Sequence, residues 1–137
     1  MEPTQPVNDP AKYLSQITLA LISCSAVASY TLVRTWAGID DGYIRIRATL
    51  INDDFLESAE YFILQEGNVT VTDYRHQWMN PDRTQLRRRW DSAPDHPELE
   101  NYPHHVHIGQ EDVIQPYHPI SIIELLSLLE RELQAGK

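Results

Sequence analysis

The sequence predicts an α+β fold, an antiparallel sheet of about five or six strands with an N-terminal helix and a C-terminal helix packed on it. Apolar residues recur at helical spacing near both ends, they alternate with polar residues through the middle, and turn-forming clusters separate the alternating runs. The 137 residues are an ordinary single-domain length, at which folding buries about two thirds of the surface of the unfolded chain. A hydrophobic content of 42% and a charged content of 23% place the chain among packed globular domains and away from disordered ones.

Residues 1–10 carry three prolines and no hydrophobic period, and read as a flexible lead. Residues 11–137 read as one domain. From Ala11 to about Ser23, the residues Tyr13, Leu14, Ile17, Leu21 and Ile22 fit a helix, with Asn8 or Asp9 as cap and Pro10 in the first turn; Ile17 to Ile22 alone fits a buried strand equally. The period then falls to 2. Tyr30 to Trp36 is rich in β-branched and aromatic residues, and Asp40-Asp41-Gly42 turns the chain into Tyr43 to Leu50. In that run the aliphatic residues alternate with Arg45 and Arg47, which sends apolar side chains to the core and arginines to the opposite face. Tyr61 to Leu64 and Val69 to Thr72 flank a tight turn at Gln65-Glu66-Gly67-Asn68. Tyr74, His76 and Trp78 continue the alternation; beyond Asn80-Pro81-Asp82, Leu86, Arg88 and Trp90 share one strand face, and Gln85, Arg87 and Arg89 the other. Three prolines between Asp91 and Pro103 exclude a central strand or a helix there, so a long ordered loop is expected, followed by a short strand at His104 to Ile108. The pattern Ile120, Ile123, Leu125, Leu126, Leu128 and Leu129 predicts a closing helix, with Ser121 and Glu124 at capping-box spacing.

The single cysteine, Cys24, allows no intrachain disulfide and reads as a buried thiol. The N-terminus lacks a basic export signal and Ile17 to Val33 is too polar to span a membrane, so no membrane association and a cytoplasmic location are expected. A net charge of −9 argues against broad binding to nucleic acid. Its distribution permits a focused anion site, because nine of the eleven basic residues are arginines and eight of those lie between Arg34 and Arg89. Pairing with the abundant carboxylates explains the same arginines without any site.

Five of the six histidines fall between His76 and His107, among Tyr74, Arg87, Arg88, Arg89 and Asp91. On an extended segment His105 and His107 project to one face, and His104 and Val106 to the other. Two imidazoles so placed could chelate a metal ion, with Asp91, His96 or His76 completing the set, or could act as acid and base across a phosphodiester with Arg89 or Arg87 beside them. Tyr74, Trp78 and Trp90 could stack unpaired bases, although core packing explains either tryptophan as well. A polar loop satisfied by its own carbonyls and carboxylates is the plainest account of the histidines.

The run Arg89-Trp90-Asp91-Ser92-Ala93-Pro94-Asp95-His96-Pro97, with Tyr102-Pro103-His104-His105-Val106-His107, resembles the TumE family of bacterial and archaeal toxins; Tyr74-Arg75-His76-Gln77-Trp78 is similar to a strand of that family. Ser92 stands where the family pattern has asparagine, and Asp95 where it has the first of two histidines. The resemblance implies a toxin of a two-gene module, a small antitoxin protein as its partner and RNA cleavage as its activity. The leading expectation is a metal-independent endoribonuclease acting on single-stranded RNA. In it His105 and His107 serve as acid and base, Arg89 steadies phosphate and Asp91 orients a histidine, while Tyr74, His76, Arg87, Trp90, His96 and His104 contact substrate. No cofactor is required on that reading. The alternatives are a metal-dependent hydrolase with its ion at the histidine-rich loop and a non-catalytic protein-binding module. Self-association into a homo-oligomer stays open.

Overall fold

The structure, a computed structural model, describes residues 9–135; the lead expected over residues 1–10 lies, apart from its last two residues, outside the described residues. Helix α1 spans Pro10–Ser23. Asp9 is extended and its carboxylate accepts from the Ala11 N–H at 2.7 Å, while Pro10 occupies the first turn, where its missing N–H has no helical acceptor to lose. Tyr13, Ile17 and Leu21, four residues apart, form the buried stripe, and the strand alternative for residues 17–22 falls away. Ile22, expected on that stripe, faces solvent.

Seven strands follow: β1 Val27–Ala37, β2 Asp41–Leu50, β3 Phe55–Gln65, β4 Asn68–Met79, β5 Leu86–Asp91, β6 His105–Ile108 and β7 Ile114–Pro116. Each pairs antiparallel with the next, giving one sheet in sequential order. The expected five or six strands are thus seven. The additional one, β7, is three residues long and ends in Pro116, too short for a visible period; it lies on the sheet edge, where a proline leaves no ladder bond unmade. Glu66 and Gly67, at φ 52° and 79°, make the two-residue turn between β3 and β4.

Helix α2, Ile122–Ala135, closes the chain. Its capping box forms as expected: the Glu124 N–H donates to Ser121 Oγ at 3.1 Å and the Ser121 N–H to the Glu124 carboxylate at 3.4 Å. Both helices cover the same sheet face, which carries Ile44, Ile46, Ala48 and Leu50 of β2 and Leu56 and Phe62 of β3. Tyr74, Trp78, Trp90 and Val106 extend that core across β4, β5 and β6. The buried Cys24 thiol donates to the Leu126 carbonyl, and burial pushes its pKa up, as suits a packed structural thiol.

Two polar anchors tie the helices to the sheet from inside this core. The Glu60 carboxyl accepts from Tyr13 Oη and from the Ile122 N–H, both at 2.6 Å, joining α1 to the start of α2. His76 meets Ser58 Oγ through Nδ1 and donates from Nε2 to the Ile120 carbonyl at 2.8 Å. Burial pushes Glu60 from an ordinary 4.5 up to about 7 and His76 from 6.5 down to about 4. The two act oppositely on stability. As pH rises from about 4.5 to 7 the unfolded chain releases a Glu60 proton that the folded protein retains, so stability falls. As pH rises from about 4 to 6.5 the unfolded chain gives up a His76 proton that the folded protein never held, so stability rises. Over the shared window they offset each other. Glu60→Gln leaves the His76 slope alone, so urea denaturation should show stability rising by about 3 kcal/mol across that window; a curve as flat as the parent's would contradict this assignment.

Candidate metal centre

The register of the sheet sets the site. Arg75 of β4 lies opposite Asp91 of β5, which lies opposite His105 of β6; one step along, Gln77, Arg89 and His107 line up in the same way. All six therefore share the sheet face away from the helices. The intervening residues His76, Trp90 and Val106 pair with one another across the same strands and face the core.

Asp91, His105 and His107 are brought together beneath the loop between β5 and β6, at 5%, 2% and 5% exposure. His105 Nδ1 donates to the Pro103 carbonyl at 2.9 Å, and His107 Nδ1 to the Glu111 carbonyl at 2.8 Å. A carbonyl can only accept, so each Nδ1 carries the hydrogen and each Nε2 of a neutral ring is a bare lone pair. The two Nε2 atoms lie 3.1 Å apart, at 2.9 Å (His105) and 3.4 Å (His107) from the Asp91 oxygens. Three acceptors converging at these distances repel one another unless a proton or a cation sits among them. Tetrahedral zinc with bonds of 2.0–2.1 Å places its ligand atoms about 3.3 Å apart, close to the spacing found. Imidazoles tethered through Nδ1 to carbonyls are also the usual support of metal-ligating histidines. Among the described residues these three form the group of His, Cys, Asp and Glu side chains whose ligand atoms lie within 4.8 Å of one another. The two Nε2 atoms and the Asp91 oxygens are close enough to share one cation or one proton.

Around these three side chains, Asp91 Oδ1 accepts from the Ala93 N–H at 3.0 Å and Oδ2 from Arg89 Nε at 3.1 Å. Arg89 also grips Glu111 with both terminal nitrogens, at 2.5 and 2.6 Å. Burial acts to lower the Arg89 pKa, but the bonds to Glu111 and Asp91 outweigh it and the net shift is upward. Arg89 therefore orients Asp91, and its fork is engaged by carboxylates where the sequence suggested an open phosphate site. Glu111 escaped the sequence reading: its carbonyl fixes one imidazole and its carboxylate the arginine, and no periodic signal marks the turn it occupies. His96, on the loop, packs its ring edge-on 5.2 Å from His105 and 6.2 Å from His107.

The other residues expected to touch substrate lie elsewhere. Trp90 is wholly buried in the core and cannot stack a base, and His76 is consumed by its contacts to Ser58 and Ile120. His104 sits on the helix side of the sheet, its ring stacked on Tyr74 at 5.8 Å and its Nδ1 3.0 Å from Tyr74 Oη; burial and the neighbouring His105 lower its pKa. Tyr74 is itself buried there, its pKa raised by burial. Arg87 pairs with Asp54 at 3.3 Å, away from the centre. Ser92 Oγ accepts from the Tyr74 N–H at 3.0 Å, and Asp95 is exposed on the loop, so the departures from the family pattern at these two positions leave Asp91, His105 and His107 in place.

Asp91 and Arg89 line a groove of about 490 Å³ that runs past Arg75 and Ala59 to Tyr43 and Tyr61. A family model described as toxin TumE matches residues 16–136. No curated protein and no solved structure matches the chain.

Proposed function

Because the chain belongs to the TumE toxin family, we propose that it is the toxin of a type II toxin and antitoxin module and cleaves single-stranded RNA at a divalent cation held by Asp91, His105 and His107. The observation that carries this reading is the convergence of two Nε2 lone pairs and one carboxylate, each ring tethered by Nδ1 to a carbonyl. Two histidines and one carboxylate leave an ion open to further ligands, as catalytic sites require. Bound there, a zinc-like cation supplies a Lewis acid for a phosphoryl oxygen and lowers the pKa of water.

The chain contributes the rest. Arg89 and the Ala93 N–H hold Asp91 in place, and the Pro103 and Glu111 carbonyls fix both rings. The loop over the imidazoles excludes water from their side, while Asp91 borders the groove through which a phosphodiester approaches. No helix among the described residues is long and apolar enough to cross a membrane. A small antitoxin protein is the expected partner and would be encoded beside this gene.

Tag-free protein incubated with labelled single-stranded RNA should cleave it, stop on addition of a chelator, and resume with zinc or manganese. RNA left intact with every metal tried, together with a His107→Ala variant as toxic to cells as the parent, would overturn the assignment. Cleavage that persists in chelator would return the site to a metal-free acid and base.

A further inference from the structure

Two parallel rows cross the open face of the sheet. Arg34, Arg45, Ala59, Arg75, Asp91 and His105 are directly paired from β1 to β6, so one row runs from the far edge of the sheet to the metal centre. From Arg34 to Asp91 it covers four strand spacings, about 19 Å. No acidic residue interrupts it before Asp91, in a chain of net charge −9. Arg45 shares Glu57 at 3.1 Å, whereas Arg34 and Arg75 have no carboxylate within ion-pair distance among the described residues; Arg75 donates only to Gln77, at 3.0 Å.

Beside it, about 7 Å along the strands, Trp36, Tyr43 and Tyr61 form a second paired row. Trp36 and Tyr43 are stacked at 6.4 Å and 19°, and Trp36 meets Tyr61 at 6.1 Å. Trp36 is 38% exposed, on a face that neither helix covers. Aromatic rings beside a row of arginines, two of them without a carboxylate partner among the described residues, match what a single strand offers, namely bases with π-faces along one side and phosphates along the other. The small Ala59 leaves a gap between Arg45 and Arg75 at the floor of the groove.

We infer that this face is the track for single-stranded RNA, with Trp36, Tyr43 and Tyr61 stacking bases and Arg34, Arg45 and Arg75 holding phosphates, so that the strand is led to Asp91. The inference rests on the proposed RNA-cleaving function and deepens it by naming where the substrate lies. A phosphate row with few lysines suits one ordered strand, where a diffuse basic surface would take any nucleic acid.

The test is fluorescence anisotropy of a labelled oligouridylate against the full chain in chelator, so that binding is read without cleavage, with a duplex of equal length for comparison. Trp36→Ala should weaken the single strand about fivefold to a hundredfold, as expected for one stacked base, and the duplex far less. Arg75→Gln should weaken it too and reduce the slope of log affinity against log salt by about 0.7. Trp36→Ala should bind as much zinc as the parent, which shows that the group of Asp91, His105 and His107 is intact. Affinity unchanged in both variants would overturn the track even if RNA is cleaved. Unchanged RNA affinity with lost capture of the neighbouring antitoxin would overturn it also, by giving the face to a protein partner. An absence of cleavage with the predicted binding losses would instead overturn the proposed function and leave the track standing.

Discussion

Replacing Asp91 by asparagine should abolish RNA cleavage while leaving the protein folded and, in chelator, at least as stable as the parent. The carboxylate is one of the three proposed ligands, and loss even of outer-shell support for a metal typically costs ten- to a hundredfold in affinity or activity; loss of a ligand should cost about a hundredfold or more. Stability moves the other way for a specific reason. Without an ion, the parent holds a carboxylate against two Nε2 lone pairs at 2.9 and 3.4 Å. An asparagine with its amide nitrogen at the Oδ1 position can donate to His105 Nε2 while its oxygen still accepts from Arg89 Nε, which relieves the closer of the two contacts at the loss of the bond from the Ala93 N–H. Thermal melts should therefore separate the two effects. Zinc at a thousandfold excess over its dissociation constant should stabilise the parent by about 4 kcal/mol and should leave Asp91→Asn unmoved. A variant that melts well below the parent in chelator would show that Asp91 is held chiefly by its bonds to Arg89 and the Ala93 N–H, with no repulsion to relieve.

Trp90→Ala should give the largest loss of stability. The indole is wholly buried, edge-on to Tyr117 at 6.4 Å and under the Arg88 guanidinium at 5.1 Å. Truncating a buried tryptophan costs about 3–5 kcal/mol through lost transfer energy and the cavity left behind, against a total of about 5–15 kcal/mol for a domain of this kind. Trp90 is directly paired with His76 and Val106, so the cavity would open behind the strands that carry Asp91 and His105. Trp90→Phe should cost less, since the indole N–H has no hydrogen-bond partner among the described residues and its removal strands no acceptor. Urea denaturation of both variants checks the order; a Phe variant as unstable as the Ala variant would mean that the N–H is satisfied by an ordered water.

Much of the fold was legible because local signals agreed. Asp9 and Pro10 marked the start of the helix at residues 10–23, although Ile17 to Ile22 alone fitted a strand equally, and the run of Ile44, Ile46, Ala48 and Leu50 named its own buried face. The strand at Ile114–Pro116 was not legible, since three residues ending in proline are held by pairing with β6 and not by any pattern of their own. Within the site, strand parity put His105 and His107 on one face, as the pairing of β5 with β6 has them. It could not say which face of one strand continues which face of the next, because that depends on register. Hence Tyr74, His76, Trp90 and His104 were grouped with the site on the strength of their residue types, though the pairing of His76 with Trp90 and of Arg75 with Asp91 puts the two sets on opposite faces. The aromatic row of Trp36, Tyr43 and Tyr61 stayed hidden for the same cause, as its members come from three strands.

The most direct test of the central claim is the metal content of protein purified without an affinity tag, measured for the parent and for His107→Ala. The structure predicts about one equivalent of zinc or a similar divalent ion in the parent and only traces in the variant. A parent that cleaves RNA while holding no metal, or a variant that retains the full equivalent, would contradict it.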